Sequence, residues 1–401
     1  GGAINFASTL DGTFSLDANT TGTTTFGGVV GGTSALTTLT TNAGGTTAIN
    51  GGAITTSGAQ LFSDAVILGG ASTLSSTGAG ITASNSGNSA AGNILALNTA
   101  GSATMRFDTF ALGASVIGGN LDLTASGTIS QSGALAVAGT TGLTATGQNI
   151  VLTHAGNNFG GAVSATGASI QLADSNALML GTVTSGGSLT VAAGGLLTVS
   201  GAASGTAVSL KGGGLTNTST ISGTTSITVD ASTGTLTNTG GTITNGGGVS
   251  TVPIILKGDS MNLSGGTITG GAALVTLTSG TVGRVIRVGA AAVGGELGLT
   301  QANLASLTTT GGLMIGDPTH TGDIIVGGPI TPLAGVSGGF TINNGYDGGA
   351  GGPTAGKILG SGGGLINVAD NVKLRAYGDI GSAGTSVNIG ANVLSLISST
   401  E

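Results

Sequence analysis

The chain carries one long internal repeat, Leu112-Gly-Ala-Ser-Val-Ile-Gly-Gly-Asn-Leu-Asp-Leu-Thr-Ala-Ser-Gly127, which returns as Leu180-Gly-Thr-Val-Thr-Ser-Gly-Gly-Ser-Leu-Thr-Val-Ala-Ala-Gly-Gly195. Seven of the sixteen positions are identical, and no gap is needed to align them. Self-similarity of this kind is typical of proteins in which each unit buries its apolar face against the next copy. The repeat therefore predicts a stacked protein rather than a globule with a cleft.

Two shorter repeats indicate the size of one unit. Leu215-Thr-Asn-Thr218 returns as Leu236-Thr-Asn-Thr239. Gly240-Gly-Thr-Ile-Thr244 returns as Gly265-Gly-Thr-Ile-Thr269. A unit of about 22 to 23 residues, as these two spacings indicate, lies in the range of one solenoid coil. We therefore interpret the long repeat, from Leu112 to its return at Leu180, as three coils.

The composition excludes several other classes of protein. The 401 residues include 83 glycines but only five prolines, and no Gly-X-Y period is present, so the chain is not a collagen. A mean hydropathy of +0.45 and a net charge of −7 argue against disorder. Glycine is too frequent, and Lys, Arg and Glu are too rare, for a helical solenoid. Runs such as Leu121-Asp-Leu-Thr124 alternate with the period of a strand that buries one face.

These patterns predict an all-β protein, a parallel β-helix (β-solenoid) of about 18 coils of roughly 22 residues. Each coil should hold two or three strands, with glycine and asparagine at the corners. Leu, Ile and Val should stack inside, and Thr, Ser and Asn should form ladders on outward positions.

The chain divides by proline content, because the first of its five prolines is Pro253. We predict a regular β-solenoid shaft over residues 1–250 and a continuation with more loops over residues 251–401. A short helix or turn that juts from a coil is expected near residues 300–307, with Thr300 as its N-cap. The glycine-rich segment 348–364 is the best candidate for a loose loop.

Several segments resemble the repeats of filamentous-haemagglutinin-like exoproteins, which are giant surface adhesins of Gram-negative bacteria. They are Gly118-Gly-Asn-Leu-Asp-Leu-Thr-Ala-Ser-Gly-Thr-Ile-Ser-Gln-Ser-Gly-Ala-Leu135, Asn157-Asn-Phe-Gly-Gly-Ala-Val163, Leu299-Thr-Gln-Ala-Asn-Leu-Ala-Ser-Leu307 and Leu313-Met-Ile-Gly316. The resemblance covers most of the chain and implies a right-handed parallel β-helix, export across the outer membrane, and a role in adhesion, aggregation or matrix. The family's amino-terminal secretion motif is absent here, so the resemblance implies a shaft segment. It supplies no catalytic residues.

Little in the sequence points to catalysis. The 15 acidic residues are mostly isolated, whereas glycoside hydrolysis needs paired carboxylates. The densest polar segment, Asp317-Pro-Thr-His320-Thr-Gly-Asp323, could ligate a cation or form a capped turn, and we favour the turn. His154 is expected to be an exposed strand residue. We predict no enzyme activity, no catalytic or metal site and no cofactor.

One strand-like segment carries candidate binding residues. Alternation should place Lys373, Arg375 and Tyr377 on one face, where they could contact an anionic glycan. The plainer alternative is a solvated strand face. Arg106 and Asp108 should share a face in the same way and pair with each other.

With eight basic residues and a pI near 4.5, a nucleic-acid partner is not expected. Nor does the sequence contain an apolar stretch long enough for a transmembrane helix, so this segment is not expected to insert into a membrane. The chain has no cysteine, which suits a protein that crosses a cell envelope unfolded. It begins Gly1-Gly2 without a signal peptide, so we expect a mature product or a segment of a longer protein.

The hypothesis from the sequence is a structural and adhesive β-solenoid segment at the bacterial cell surface or outside the cell. It would form the shaft of an adhesin or an extracellular filament. Its expected partners are itself, end to end or through continuing repeats, and glycans or surface proteins of a host or matrix. The alternative is a polysaccharide-binding or polysaccharide-degrading β-helix protein. An ice-binding face ranks lower, because the threonine pairs do not recur at the coil spacing.

Overall fold

A computed structural model describes residues 1–246, 251, 253–347, 356–382, 384–390 and 394–398. The protein is all-β, with 1% helix, and its parallel strands stack as a β-solenoid of about 18 turns. The predicted fold class is therefore confirmed. The chain forms two compact units, Gly1–Ser188 and Leu189–Glu401, and each is described by itself.

The first unit consists of short strands that pair in parallel with the strands of the preceding and following coils. Its strands are β1 Ile4–Phe6, β2 Ser15–Ala18, β3 Thr23–Phe26, β4 Thr38–Thr41, β5 Thr46–Ile49, β6 Ala53–Thr56, β7 Gln60–Phe62, β8 Ala65–Leu68, β9 Ser72–Ser76, β10 Ile81–Ala83, β11 Ile94–Thr99, β12 Ala103–Phe107, β13 Phe110–Leu112, β14 Ser115–Ile117, β15 Leu121–Ala125, β16 Ile129–Gln131, β17 Leu135–Val137, β18 Thr141–Ala145, β19 Ile150–Leu152, β20 Asn158–Phe159, β21 Val163–Gly167, β22 Ile170–Asp174 and β23 Leu178–Ser185.

From β12 to β22 each coil of this unit contributes one strand to each of three ladders. The ladders run β12–β15–β18–β21, β13–β16–β19–β22 and β14–β17–β20. Within a strand the side chains alternate, so that Leu121 and Leu123 are buried while Asp122 and Thr124 are exposed. This alternation is why a coil of three short strands can enclose an apolar core.

Equivalent residues of successive coils stack directly on one another inside the solenoid. Leu123 pairs in register with Met105 of the preceding coil and with Leu143 of the next. At the start of the unit, the rings of Phe6 and Phe26 stack 5.4 Å apart and nearly parallel. Each fully buried aliphatic or aromatic side chain contributes about 1.5–3 kcal/mol, so these columns supply the main stabilisation of a chain with few charges.

The long sequence repeat does not correspond to three whole coils, so that interpretation is wrong. The register runs from Phe110 through Ile129 and Ile150 to Ile170, so three coils end at Ile170, short of the second copy of the repeat. Leu180, the counterpart of Leu112 in the repeat, instead pairs with Val163 in a different ladder. A glycine corner followed by an alternating strand suits any of the three ladders, which explains how similar sequences occupy different ones.

The second unit has the same architecture, with longer coils toward its carboxyl end. Its described elements are β24 Leu189–Ala193, β25 Leu196–Val199, β26 Ala203–Lys211, β27 Gly214–Asn217, β28 Thr220–Asp230, β29 Thr235–Thr237, β30 Thr242–Thr244, β31 Ile254–Lys257, β32 Ser260–Asn262, β33 Thr267–Gly271, β34 Val275–Thr278, β35 Ile286–Val288, β36 Leu297–Leu299, α1 Gln301–Ala305, β37 Leu307–Thr309, β38 Leu313–Asp317, β39 Ile324–Val326, β40 Pro329–Ile330, β41 Phe340–Asn344, β42 Ile358–Gly360, β43 Leu365–Ile366, β44 Val372–Ala376, β45 Asn388–Ile389 and β46 Leu394–Ser398.

The two short repeats do mark successive coils of this unit. Leu215 pairs with Leu236, and Ile243 pairs with Ile268, so each short repeat advances by one coil. The repeated asparagines, Asn217 and Asn238, are fully buried. The Asn217 Nδ2 donates to the Asn238 Oδ1 at 2.8 Å. The predicted outward position is therefore wrong for these two residues, whose amides satisfy polar groups inside the fold.

The two positions of the repeated Gly-Gly pair require glycine for different reasons. The first glycine of each pair, Gly240 or Gly265, has a positive φ (79° and 88°), which other residues adopt at a cost. The second glycine lies against the asparagine column. A Cβ on Gly266 would overlap the backbone oxygen of Asn238. The Gly-Gly motif is therefore a consequence of the close stacking of one coil on the next.

The one helix among the described residues, α1, lies in the segment where the sequence predicts it. The Thr300 side chain accepts a hydrogen bond from the Asn303 N–H at 3.3 Å and so caps the helix. The helix does not jut from its coil, because Leu304 is fully buried. The Asn303 side chain also accepts from the Leu263 N–H and donates to the Met261 carbonyl, both at 3.1 Å.

Two further predictions, the loose loop and the division at residue 250, fall partly on residues that the structure does not describe. Residues 348–355 of the predicted loose loop lie outside the described residues, and the rest of that segment contains β42, whose Ile358 is fully buried. A loose loop is therefore wrong for the described part. Residues 247–250 also lie outside the described residues, and the division at residue 250 stays a prediction.

Replacing Gly266 with alanine should destabilise the second unit strongly. The new Cβ would collide with the Asn238 backbone, and overpacking of this kind costs about 2 kcal/mol. Gly362→Ala is the matched control, because a Cβ there would meet nothing within 4 Å. Urea unfolding followed by far-UV circular dichroism measures both. Equal stability of the two variants would contradict the stacking described here.

Candidate functional site

Acidic side chains in the first unit bind backbone groups at the corners of coils. The Asp108 carboxylate accepts hydrogen bonds from the Ser89 hydroxyl and from the N–H groups of Ala90 and Thr109. Although burial opposes ionisation, these hydrogen bonds hold the pKa of Asp108 below its ordinary value. Arg106 forms no ion pair with Asp108. The predicted pair is wrong, because the corner backbone occupies the carboxylate.

Two further carboxylates of the first unit, Asp64 and Asp174, are buried and accept hydrogen bonds from the neighbouring coil. Asp64 accepts from the hydroxyls of Thr41 and Thr47, both at 2.7 Å. Asp174 accepts from the Phe159 N–H at 2.6 Å. Such bonds offset part of the cost of burying a charged group, although the Oδ2 of Asp64 is buried without a hydrogen-bond partner. Each of these carboxylates is therefore engaged within the fold.

An open surface depression in the second unit is lined in part by Arg284 and Glu296, yet both charges are engaged. Arg284 forms an ion pair with Asp259 at 2.9 Å. Glu296 binds Arg287 through two bonds of 2.6 and 2.9 Å. The Arg287 guanidinium holds the pKa of Glu296 below its ordinary value. Glu296 is therefore an ionised partner in a fork-shaped ion pair rather than a proton donor at neutral pH.

The polar segment around Asp317 forms a capped turn. One Asp317 oxygen accepts from the Thr319 N–H and hydroxyl, and the other accepts from the Thr278 hydroxyl at 2.7 Å. The described residues contain no group of three His, Cys, Asp or Glu side chains placed to hold a metal ion. The geometry agrees with the interpretation of the segment as a turn.

His320 in the same turn is buried, with 1% of its surface exposed. Its Nδ1 lies 3.4 Å from the Ser279 hydroxyl, and its Nε2 is buried without a hydrogen-bond partner. Burial lowers the pKa of His320, although the nearby charges of Asp317 and Asp323 oppose this shift. His154 is exposed as expected, but it lies in a corner turn rather than a strand, where its Nδ1 accepts from the Gly156 N–H.

The candidate glycan contacts lie together on the outer face of the second unit. Alternation along β44 points Lys373 and Arg375 outward while Val372, Leu374 and Ala376 are buried. Tyr377 follows directly after the strand and is half-buried. The shared face that the sequence predicts for these three residues is consistent with the structure, and their contact with a glycan stays a prediction.

The structure adds two residues that the sequence analysis missed, Tyr346 and Asn343. The rings of Tyr346 and Tyr377 lie 5.7 Å apart at 42°, and these are the only two tyrosines of the chain. Asn343 pairs in register with Arg375. Its side chain binds the backbone of Tyr346 through bonds of 3.0 and 3.1 Å. Because this coil is longer than the repeat unit, the repeat spacing gave no signal for the tyrosine pair.

The described residues contain no helix that is both long and apolar enough to cross a membrane.

Lowering the pH from about 7 to 5 should destabilise the second unit through His320. Because its folded-state pKa lies below the ordinary 6.5, the unfolded chain binds the proton more readily. The resulting stabilisation is complete above pH 6.5 and falls as the pH drops toward the folded-state pKa. His320→Gln should flatten this part of the pH profile of unfolding, and the same substitution at the exposed His154 is the control for loss of a histidine. A profile that is the same in the wild type and in His320→Gln would contradict the assignment.

The comparisons with known proteins identify the repeats but not a function. Residues 100–166 match a family model described as repeats of unknown function (DUF5649). This segment includes β12 to β20 and most of β21, which is three consecutive coils. No curated protein and no solved structure shows a significant match. In this segment the chain is similar to a family of repeats whose role is not established.

Proposed function

We propose that this chain is a structural and adhesive segment of a secreted β-solenoid at the bacterial cell surface. It would form the shaft of an adhesin or an extracellular filament. The observation that carries the proposal is the stacking of nearly uncharged coils, in which buried polar side chains bind the neighbouring coil. The resemblance of several segments to filamentous-haemagglutinin-like repeats supports the same function.

The proposal assigns no catalytic role to the chain. Glycoside hydrolysis uses two carboxylates that face one substrate across a gap of about 5–10 Å. Here Asp64 and Asp174 accept hydrogen bonds from groups of the neighbouring coil, and Glu296 is held by Arg287. These engagements favour a structural role for the acidic residues over the polysaccharide-degrading alternative.

The partner that we propose for the shaft is a further β-solenoid coil, from a second copy or from continuing repeats. On β46 the core positions Leu394 and Leu396 are 44% and 55% exposed. They stack on Val372 and Leu374 of β44, so they continue two core columns. A further parallel strand on the edge of β46 would cover them. Sedimentation of the purified chain over a range of concentrations would detect self-association.

Antibodies raised against the purified chain should label intact cells of the producing bacterium, because a surface shaft is accessible without permeabilisation. Immunogold electron microscopy measures the label, and an antibody to a cytosolic protein is the control. Label that appears only after permeabilisation would contradict a surface or extracellular location. Label along filaments, rather than on single stalks, would select the extracellular filament over the adhesin shaft.

A further inference from the structure

Two basic side chains on the outer face of β44 form no ion pair within the described part of the chain. The ion pairs there are those of Arg284, Arg287 and Lys357 with carboxylates. Lys373 and Arg375 take part in none of them. Because they are two residues apart on one strand, their Cα atoms lie roughly 7 Å apart on the same face. The pair is therefore a compact cationic surface on a protein of net charge −7.

Arg375 supplies the guanidinium of this pair and is half-buried on β44. Its Nε is buried and has no hydrogen-bond partner. Because the Nε is enclosed, an external carboxylate or sulfate oxygen would bind the terminal N–H groups of the guanidinium through charge-assisted bonds. The guanidinium fork is also the side chain best suited to bind such a group through two parallel bonds.

The rings of Tyr346 and Tyr377, which we call the aromatic platform, lie next to these cations, because Tyr377 is two residues after Arg375. The surrounding residues hold both tyrosines in place. Asn343, the register neighbour of Arg375, fixes the backbone of Tyr346. The Tyr377 hydroxyl donates to the Asp347 carboxylate, which fixes the second ring. Tyrosine offers an apolar ring face together with a polar edge. This combination suits a sugar ring, which has an apolar C–H face and hydroxyl groups at its rim.

The number of cations in the site distinguishes among the polyanions that it could bind. Nucleic-acid binding uses about 6–10 phosphate contacts, and anionic membranes attract clusters of about 4–8 basic residues. Two cations fall short of both. They suit a polymer that carries its acidic groups more sparsely, on sugar rings that can rest on tyrosine.

We propose that Lys373, Arg375, Tyr346 and Tyr377 form a binding site for acidic polysaccharide, with the cations at its carboxylate or sulfate groups and the tyrosines at its sugar rings. The biological source of the ligand rests on the proposed function, since a shaft at the cell surface would encounter glycans of a host or matrix. Binding itself can be measured on the purified chain.

The test measures binding of the full chain to oligogalacturonate, to dextran sulfate and to neutral dextran by isothermal titration calorimetry at physiological salt. The two acidic probes distinguish carboxylated from sulfated sugars. The wild type should bind at least one of them and should not bind neutral dextran. Lys373→Gln/Arg375→Gln should lose about tenfold in affinity or more, as expected for charge-assisted bonds.

Two further variants make the test specific. Arg106→Gln/Lys211→Gln removes the same charge from exposed positions on β12 and β26, and it should leave the affinity unchanged. Tyr346→Ala should weaken binding while preserving the fold, because Asn343 binds only the backbone of Tyr346. Circular dichroism checks that every variant is folded.

Three outcomes would overturn the proposal. They are no binding of either acidic probe by the wild type, an equal loss in the control variant, and equal binding of polyglutamate, which would indicate a general acidic partner. None of these would affect surface labelling of cells. Conversely, unlabelled cells together with specific binding would remove the proposed location and leave the site intact.

Discussion

In a parallel, in-register stack each residue lies about 4.8 Å from its equivalent in the next coil, and this constraint shapes the whole chain. Like charges at that spacing repel each other, so a repeating unit cannot keep a charge at a fixed position. Charged residues are accordingly only 6% of the sequence. Charges do occupy one equivalent position in three successive coils, and there their signs alternate in the order Lys211, Asp230, Lys257.

The same constraint determines how polar groups are satisfied inside the protein. Corner backbone groups leave the sheet ladders, and they bind either the backbone of the neighbouring coil, as the Gly118 N–H binds the Thr99 carbonyl at 2.8 Å, or a side chain from that coil. Asn217 and Asn238, which lie in successive coils, bind each other through their side chains, and the Asp108 carboxylate accepts from the Ala90 N–H of the preceding coil. Polar residues that would suggest chemistry in a globular enzyme are used here to join coils.

Features with binding potential occur where a coil is longer than its neighbours. Phe340 pairs with Val372, so the coil between them is longer than the repeat unit, and the extra length carries Tyr346 over the outer face. The coil that contains α1 is longer still, because Ile268 pairs with Leu307. Insertions at corners leave the ladders intact, so they can vary without loss of the fold. The aromatic platform beside Arg375 is one product of such an insertion.

The fold class, the size of a coil and the cap of α1 follow from the sequence, because alternation, short repeats and capping are local patterns. The identity of each ladder does not follow, since Leu112 and Leu180 share a sequence but not a ladder. The same limit applies to the candidate site. Alternation predicts the shared face of Lys373 and Arg375. The position of Tyr346 near them depends on the length of its coil, which the repeat spacing does not predict.

Cysteine cross-linking tests the in-register stacking most directly, because the chain has no cysteine of its own. Thr124, Thr144 and Thr166 occupy one register in three successive coils, and all three are exposed on the outer face. Thr124→Cys/Thr144→Cys should form a disulfide on mild oxidation, since adjacent coils place the Cα atoms about 4.8 Å apart. Thr124→Cys/Thr166→Cys, two coils apart, should not. Cross-linking of the second pair in preference to the first would contradict the register on which this account depends.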